Sequence, residues 1–246
     1  SPVLMAVPAI VYAKKNSKNI FLYSLDIWPE SLIAYNITSD SIVYKIMLNV
    51  SKWIYNKAQM IAVTSIRFSD YYRNIISYDK EIRYLPQYAE DLFGNIEKKE
   101  HKGCNLVFAG NIGTVQNVQV IISAAKLLFN YKDIVFHIVG DGAEYENCKN
   151  DAKGLDNIIF YGRHSLEEMK KFYEIADAML ITLKDDKLLS YTLPGKIQTY
   201  MAAGKPTIGS INGETRRVIN EAKCGYCVEA DNAKALAEAI LRFEKN

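Results

Sequence analysis

Residues 185–206 read DDKLLSYTLPGKIQTYMAAGKP, and the rest of the chain is organised around this stretch. The apolar run 178–183 before it has the length and composition of a buried strand. Residues 185–191 are polar and loop-like. Residues 193–203 have the pattern of a helix, with Pro194 in the first turn, where a missing N–H costs nothing. Strand, loop and helix start therefore meet at one point. A helix start offers unpaired N–H groups and a partial positive charge, Gly195 allows close approach to the backbone, and Lys196 adds a full cation. Such an arrangement suits a phosphate. An ordinary strand-to-helix turn with a solvated lysine has the same sequence, because a helix start binds an anion only where it opens into a cleft.

Working outward, residues 105–246 alternate strand and helix with a clear rhythm. Strands are expected at 105–109, 134–139, 158–161, 178–183, 207–210 and 226–229, with helices between them and a last helix over 232–243. Ser165 and Glu168 form a capping-box signature before the helix that follows the third strand. Six strands alternating with helices demand a parallel sheet with right-handed crossovers, an α/β architecture. All strand carboxyl ends then lie on one edge, where ligands of such sheets bind. Gly110 with Gly113, Gly140 with Gly142, Gly162, and Gly195 all fall on that edge. Any one of these glycines could serve a tight turn alone, but together they point to a ligand with several polar parts, such as a nucleotide. The GDG at 140–142 is not the dinucleotide fingerprint, since Tyr145 stands where GxGxxG needs its third glycine, and NAD is not expected.

Toward the amino terminus, residues 1–86 also alternate helix and strand but offer only about three strands (20–25, 60–63 and 82–85). Residues 3–15, 41–57 and 69–76 are the helix candidates, the second marked by Ile42, Ile46, Leu48 and Trp53 at helical spacing. The sheet implied is small, and its opening strands are inferred to be missing; the Ser-Pro start fits a piece of a longer protein. Residues 87–104 are polar, carry Glu97, Lys98, Lys99 and Glu100 in sequence, and read as an interdomain linker.

The 246 residues are 49% hydrophobic and 24% charged with a formal net charge of +2, which is ordinary for a globular protein. No basic arm, zinc-finger spacing or aromatic RNA-binding pattern is present, so a nucleic-acid partner is not expected. No apolar run approaches the length of a membrane span. Of the four cysteines, Cys224 and Cys227 form a lone CxxC without a second pair or nearby histidine, which reads as two small thiols near a turn and no metal site.

FAGNIG, IVGDG, FYGR, LPGKIQTYMAAGKP and NGET, in that order, resemble the nucleotide-sugar-binding half of a GT-B glycosyltransferase of family four, in the branch that builds bacterial capsule and O-antigen polysaccharides. DIWPES at 26–31 resembles the DLWPES motif of the acceptor half. The resemblance implies two Rossmann-like parallel-sheet domains, the N-terminal one incomplete. It implies a retaining, metal-independent transfer from a nucleotide diphosphate-sugar, with UDP the expected nucleotide, onto a lipid-linked saccharide. The donor is a substrate, and no cofactor is expected. Location would be cytoplasmic, with peripheral contact at the inner face of the membrane.

Carried onto this chain, the resemblance sets Gly110, Asn111, Gly113 and Thr114 against the pyrophosphate, with Gly140 and Gly142 on the same rim and Arg163 near the base. Thr192, Leu193, Gly195 and Lys196 would hold the phosphates. Several positions depart from the family pattern. Asn111 and Gln116 stand where many members have Arg and Lys, and Tyr191 and Thr199 replace paired glutamates, the second of which grips the ribose. Lys196 and the helix start are left with most of the leaving-group charge. In the acceptor half, Asp26 and Glu30 are candidates to orient or deprotonate an acceptor hydroxyl, although either could instead cap a turn or satisfy buried backbone. Trp28 is a sugar platform or core, and Glu214 is a helix-cap residue or a donor contact. His101, His137 and His164 are scattered and do not suggest a histidine base. A non-catalytic sugar-nucleotide-binding module is the alternative; a sugar-nucleotide epimerase lacks the expected acidic and histidine constellation.

Overall fold

Leu106, Val107 and Phe108 are fully buried in succession, so both faces of their strand are covered, as in the middle of a parallel sheet. The computed structural model describes residues 3–245 except 36, 90, 92, 93, 95 and 98. Lys98 of the expected linker and the Ser-Pro start lie outside the described residues. The strand just named, β4 (Cys104–Ala109), is flanked by β5 (Ile134–Val139) and β7 (Ala178–Thr182). With β6 (Ile158–Gly162), β8 (Thr207–Ser210) and β9 (Gly225–Val228), the six strands order as β6-β5-β4-β7-β8-β9. Every pairing is parallel. The first strand in sequence is thus central, and the chain winds outward to one side and then to the other. This is the doubly wound α/β arrangement, whose switch point between β4 and β7 leaves a crevice at the carboxyl edge.

The chain divides into two compact units, residues 1–87 with 191–193, and residues 88–190 with 194–246. The second unit holds the six-stranded sheet and a core in which Phe108, Phe136 and Ile138 meet helical residues such as Ile121 and Ile240. Residues of the expected linker pack onto it: the Lys99 N–H donates to the Glu174 carbonyl at 3.0 Å, and the Lys99 ammonium pairs with the Glu174 carboxylate at 2.6 Å.

The first unit contains α1 (Val7–Lys15), β1 (Phe21–Ser24), α2 (Ile42–Lys57), β2 (Met60–Val63), α3 (Ile66–Asn74) and β3 (Glu81–Tyr84). Its strands form a parallel sheet in the order β1-β2-β3. Its core is rich in tyrosine: Tyr55, Tyr71, Tyr72 and Tyr78 pack with Ile54, Ile61 and Phe68. Tyr55 and Tyr72 meet edge to face at 4.9 Å, an arrangement favoured by the ring quadrupoles.

Three expectations change. α2 is a helix with Ser41 as its cap, the hydroxyl accepting from the Tyr44 N–H at 3.1 Å. Its core face, however, is Tyr44, Ser51, Ile54 and Tyr55, while Ile42, Ile46 and Trp53 are exposed. Ser165 and Glu168 exchange the reciprocal bonds of a capping box at 3.0 and 3.4 Å, but the α-helix that follows, α6 (Met169–Ile175), begins only after them. The helix expected from Leu193 starts later, as α7 (Lys196–Ala202) with Gly195 as its cap. A residue preceding proline is driven away from helical backbone angles, so Leu193 is kept out by Pro194.

Candidate functional site

At the carboxyl ends of β4, β5 and β6, a cavity of about 430 Å³ is lined by Gly110, Asn111, Gly140, Asp141, Gly142, Arg163 and His164, together with Val139 and Met169. Two glycines make this opening possible. Gly110 has φ +142° and Gly140 φ +138°, and a Cβ on Gly140 would sit 1.8 Å from the Gly110 carbonyl oxygen. The β4 and β5 ends therefore approach more closely than any side chain allows. Main-chain bonds lock the stack: Gly110 N–H donates to Val139 O at 2.9 Å, Gly140 N–H to Gly162 O at 2.8 Å, and Ile112 N–H to Asp141 O at 2.8 Å. The structure thus brings Gly110, Asn111, Gly140, Gly142 and Arg163 to one cavity.

Side chains of the first loop pair with one another and with the segment after β5. Asn111 donates its amide to Gln116 Oε1 at 3.0 Å, a neutral pair, and the Thr114 hydroxyl donates to Glu144 at 3.3 Å. A Cβ on Gly113 would meet the Asn111 and Gln116 side chains. His164, set aside in the sequence, lies on the cavity wall. Its Nδ1 is 3.1 Å from Glu168 Oε2, and its ring packs on Phe172 with centroids 5.0 Å apart. The available signal was its position directly after Arg163 at the end of β6.

Lys196, the first residue of α7, reaches from the far side of the switch point to the end of β4. Its stem is partly exposed, but its Nζ is buried from solvent and has no hydrogen-bond partner among the described residues. The ammonium lies over the Phe108 ring, 4.2 Å from the centroid, and a Cβ on Gly110 would be 2.6 Å from it. Burial pulls its pKa down to about 8; the ring face offsets part of that cost by cation–π attraction. An unpaired buried cation is expensive, and it marks a place where an anion would be strongly favoured. Gly195 is exposed at the helix cap and Thr199 half-buried one turn on. Thr192 and Leu193, grouped with them in the sequence, cluster with the first unit, and Leu193 is buried.

Glu214 is fully buried at the start of α8 (Gly213–Ala222), where Arg217 donates to both of its carboxylate oxygens at 2.7 and 2.9 Å. The Asn212 side chain at the start of α8 makes no capping bond. In the first unit, Glu30 is buried and accepts from the Tyr44 hydroxyl at 2.7 Å, and burial raises its pKa. Asp26 and Trp28 line a separate cavity of about 260 Å³ beside the end of β1. The Trp28 main chain is held by Tyr55 and Tyr71, at 3.2 and 2.9 Å. Among the described residues, no group of three or more His, Cys, Asp or Glu is placed to hold a metal ion. No helix among them is long and apolar enough to cross a membrane.

Two parallel-sheet units, the larger with a glycine-lined pocket and a buried cation at its switch point, define a protein of the GT-B class. Residues 103–246 match the family model described as "Glycosyl transferases group 1", and the chain belongs to that family. It is 27% identical over 255 residues to "Probable glycosyltransferase WbjE" of Pseudomonas aeruginosa, an alignment covering 97% of this chain and 62% of WbjE. The chain thus spans about three-fifths of that relative. Among solved structures, it resembles Anabaena HepE in complex with UDP, with a TM-score of 0.74 and 14% identity over 98% of this chain and 66% of that one. It also resembles a glycosyltransferase from Rickettsia africae, with a TM-score of 0.70 and 17% identity over 98% of this chain and 70% of that one. At such identities the two structures establish the shared fold.

Proposed function

We propose that the chain is the donor-binding part, with a portion of the acceptor side, of a glycosyltransferase. It would move a sugar from a nucleotide diphosphate-sugar, with UDP as the nucleotide, to a lipid-linked saccharide in surface polysaccharide synthesis at the cytoplasmic face of the membrane. The observation that supports this reading is the Lys196 ammonium, buried without a hydrogen-bond partner among the described residues and close behind Gly110, which lines the pocket. A diphosphate is the ligand whose charge satisfies it, and the charge on such a leaving group grows as the glycosidic bond breaks. Arg163 and His164, on the β6 side of the same pocket, are placed for the nucleoside end. HepE with UDP, similar in fold, supports the choice of nucleotide, and the likeness to WbjE supports the polysaccharide setting. Retention of configuration and independence from metal follow from the family resemblance.

The test is calorimetric titration with UDP and UDP-sugars. Lys196→Ala is expected to weaken UDP binding by about 2–3 kcal/mol, the range for a charged hydrogen bond lost from a buried site, and Arg163→Ala is expected to weaken it as well. Absent binding to the parent chain, or affinity indifferent to Lys196→Ala, would remove the site. A second reading, donor binding without transfer, is favoured by the three-fifths span of WbjE. Sugar transfer to a lipid-linked acceptor by this chain would exclude it.

A further inference from the structure

Five residues other than glycine have positive φ among the described residues, a conformation in which Cβ crowds the following carbonyl. Two of the five are bonded to each other. Asn117 (φ +44°) lies in the loop after β4 and Asp231 (φ +58°) in the loop after β9, and the Asn117 amide donates to Asp231 Oδ1 at 2.5 Å across 114 positions of chain. Asparagine and aspartate usually tolerate this backbone by bonding to their own loop. Here each side chain is partnered by a distant loop, so the conformation of one supports that of the other.

The same carboxylate reaches a third loop. Asp231 Oδ2 accepts the main-chain N–H of Asp185 at 3.0 Å, and Asp185 Oδ1 accepts from the Asn212 amide at 3.0 Å. Asp185 follows β7 and Asn212 follows β8. The loops after β4, β7, β8 and β9, four strands that are neighbours in the sheet, are thus tied together along one half of its carboxyl edge. Two more bonds fasten the β4 loop: the Thr182 hydroxyl donates to the Gln116 carbonyl at 2.5 Å, and the Lys184 N–H to the Val115 carbonyl at 3.0 Å. The glycine-lined cavity occupies the other half of the edge, at β4, β5 and β6. The β4 loop therefore has the cavity on one side and this knot on the other. Asn111 lines the cavity, and its amide is held by Gln116, the residue before Asn117.

We propose that Asp231 is a positioning residue for the sugar-nucleotide donor: through Asn117 and Asp185 it fixes the β4 loop, and with it Asn111, against the ligand's phosphates. This rests on the donor-site reading given above. Asp231 is not among the residues lining the cavity, so it acts through the loop and not on the ligand. One exposed hydrogen bond inside a single loop adds little. Bonds that join four loops remove their independent motion, where a misplacement of about 1 Å is costly to a bound group.

The test is titration of the whole 246-residue chain with UDP by calorimetry and with uridine by ligand-observed NMR, alongside amide hydrogen exchange of residues 111–118. Asp231→Gly removes the carboxylate and leaves a residue at ease at φ +58°, so the fold should survive. It is expected to weaken UDP binding by about threefold to tenfold, the scale of one hydrogen bond, and to speed exchange over 111–118. Uridine affinity should not change, because Arg163 and His164 stand on the β6 side of the cavity. Asp231→Asn should restore UDP affinity, since its carbonyl can accept from the Asp185 N–H while its amide donates to a turned Asn117 side chain. In an Asn117→Gly background Asp231→Gly should cost less than it does alone, as expected of bonded partners. UDP affinity unchanged by Asp231→Gly, equal losses for UDP and uridine, or fully additive losses in the double variant would each overturn the positioning role while leaving the donor site in place. A parent chain that binds no UDP would remove the donor site and the positioning role together.

Discussion

Lys196 shows how much the surroundings of one atom matter. The sequence marks it as a cation near a helix start, and the structure makes it a dry one, over the Phe108 ring with no hydrogen-bond partner among the described residues. Its folded pKa of about 8 lies below the ordinary lysine value of 10.5. The unfolded chain therefore holds the proton more tightly, and the ligand-free protein should gain stability as pH rises from about 8 to 10.5, while below 8 it bears the full cost. A displacement of that size corresponds to about 3 kcal/mol. Lys196→Met should accordingly be more stable than the parent at pH 7 by up to about 3 kcal/mol, with the difference closing above pH 10. Urea denaturation at the two pH values measures it, and equal stabilities at pH 7 would show that the ammonium is not buried at a cost. That Gly110, Gly140 and Arg163 stand at strand ends and Lys196 at a helix start was legible in the sequence, because each position has a distinctive local chemistry. The withdrawal of Glu30 and the pocket position of His164 were not, since both depend on side chains from other elements.

Elements follow their local signals closely, except where a neighbour intervenes. The alternating apolar runs produced all nine strands among the described residues within a residue or two. α7 begins at Lys196 and not at Leu193 because Pro194 restricts the residue before it. The junction of β4 and β5 rests on glycine: a methyl group at Gly140 would overlap the Gly110 carbonyl, which is main chain and has no rotamer to yield. Gly140→Ala should destabilise the protein by at least about 2 kcal/mol, from strained φ and the clash together, and lower the urea midpoint. A midpoint unchanged from the parent would mean that the two strand ends are not held this closely. α2 gives the opposite lesson. Its period was readable, but apolar residues occupy two faces, and periodicity alone does not say which one is inside.

The two units have their own buried cores, one centred on tyrosines and one on the six-stranded sheet. Separate cores predict two calorimetric transitions. UDP at a hundredfold excess over its Kd should add about 2.7 kcal/mol to the unit that binds it, and only the transition lowered by Gly140→Ala should rise. A shift in the other transition alone would move the donor site out of the second unit. Strand and helix alternation, a parallel sheet and a ligand edge marked by glycines were all readable from residue order, because apolar periodicity and glycine sterics act over a few positions. The dry environment of Lys196, the buried pairing of Glu214 with Arg217 and the solvent-facing side of α2 were settled by packing, because burial is set by contacts between segments far apart in the chain.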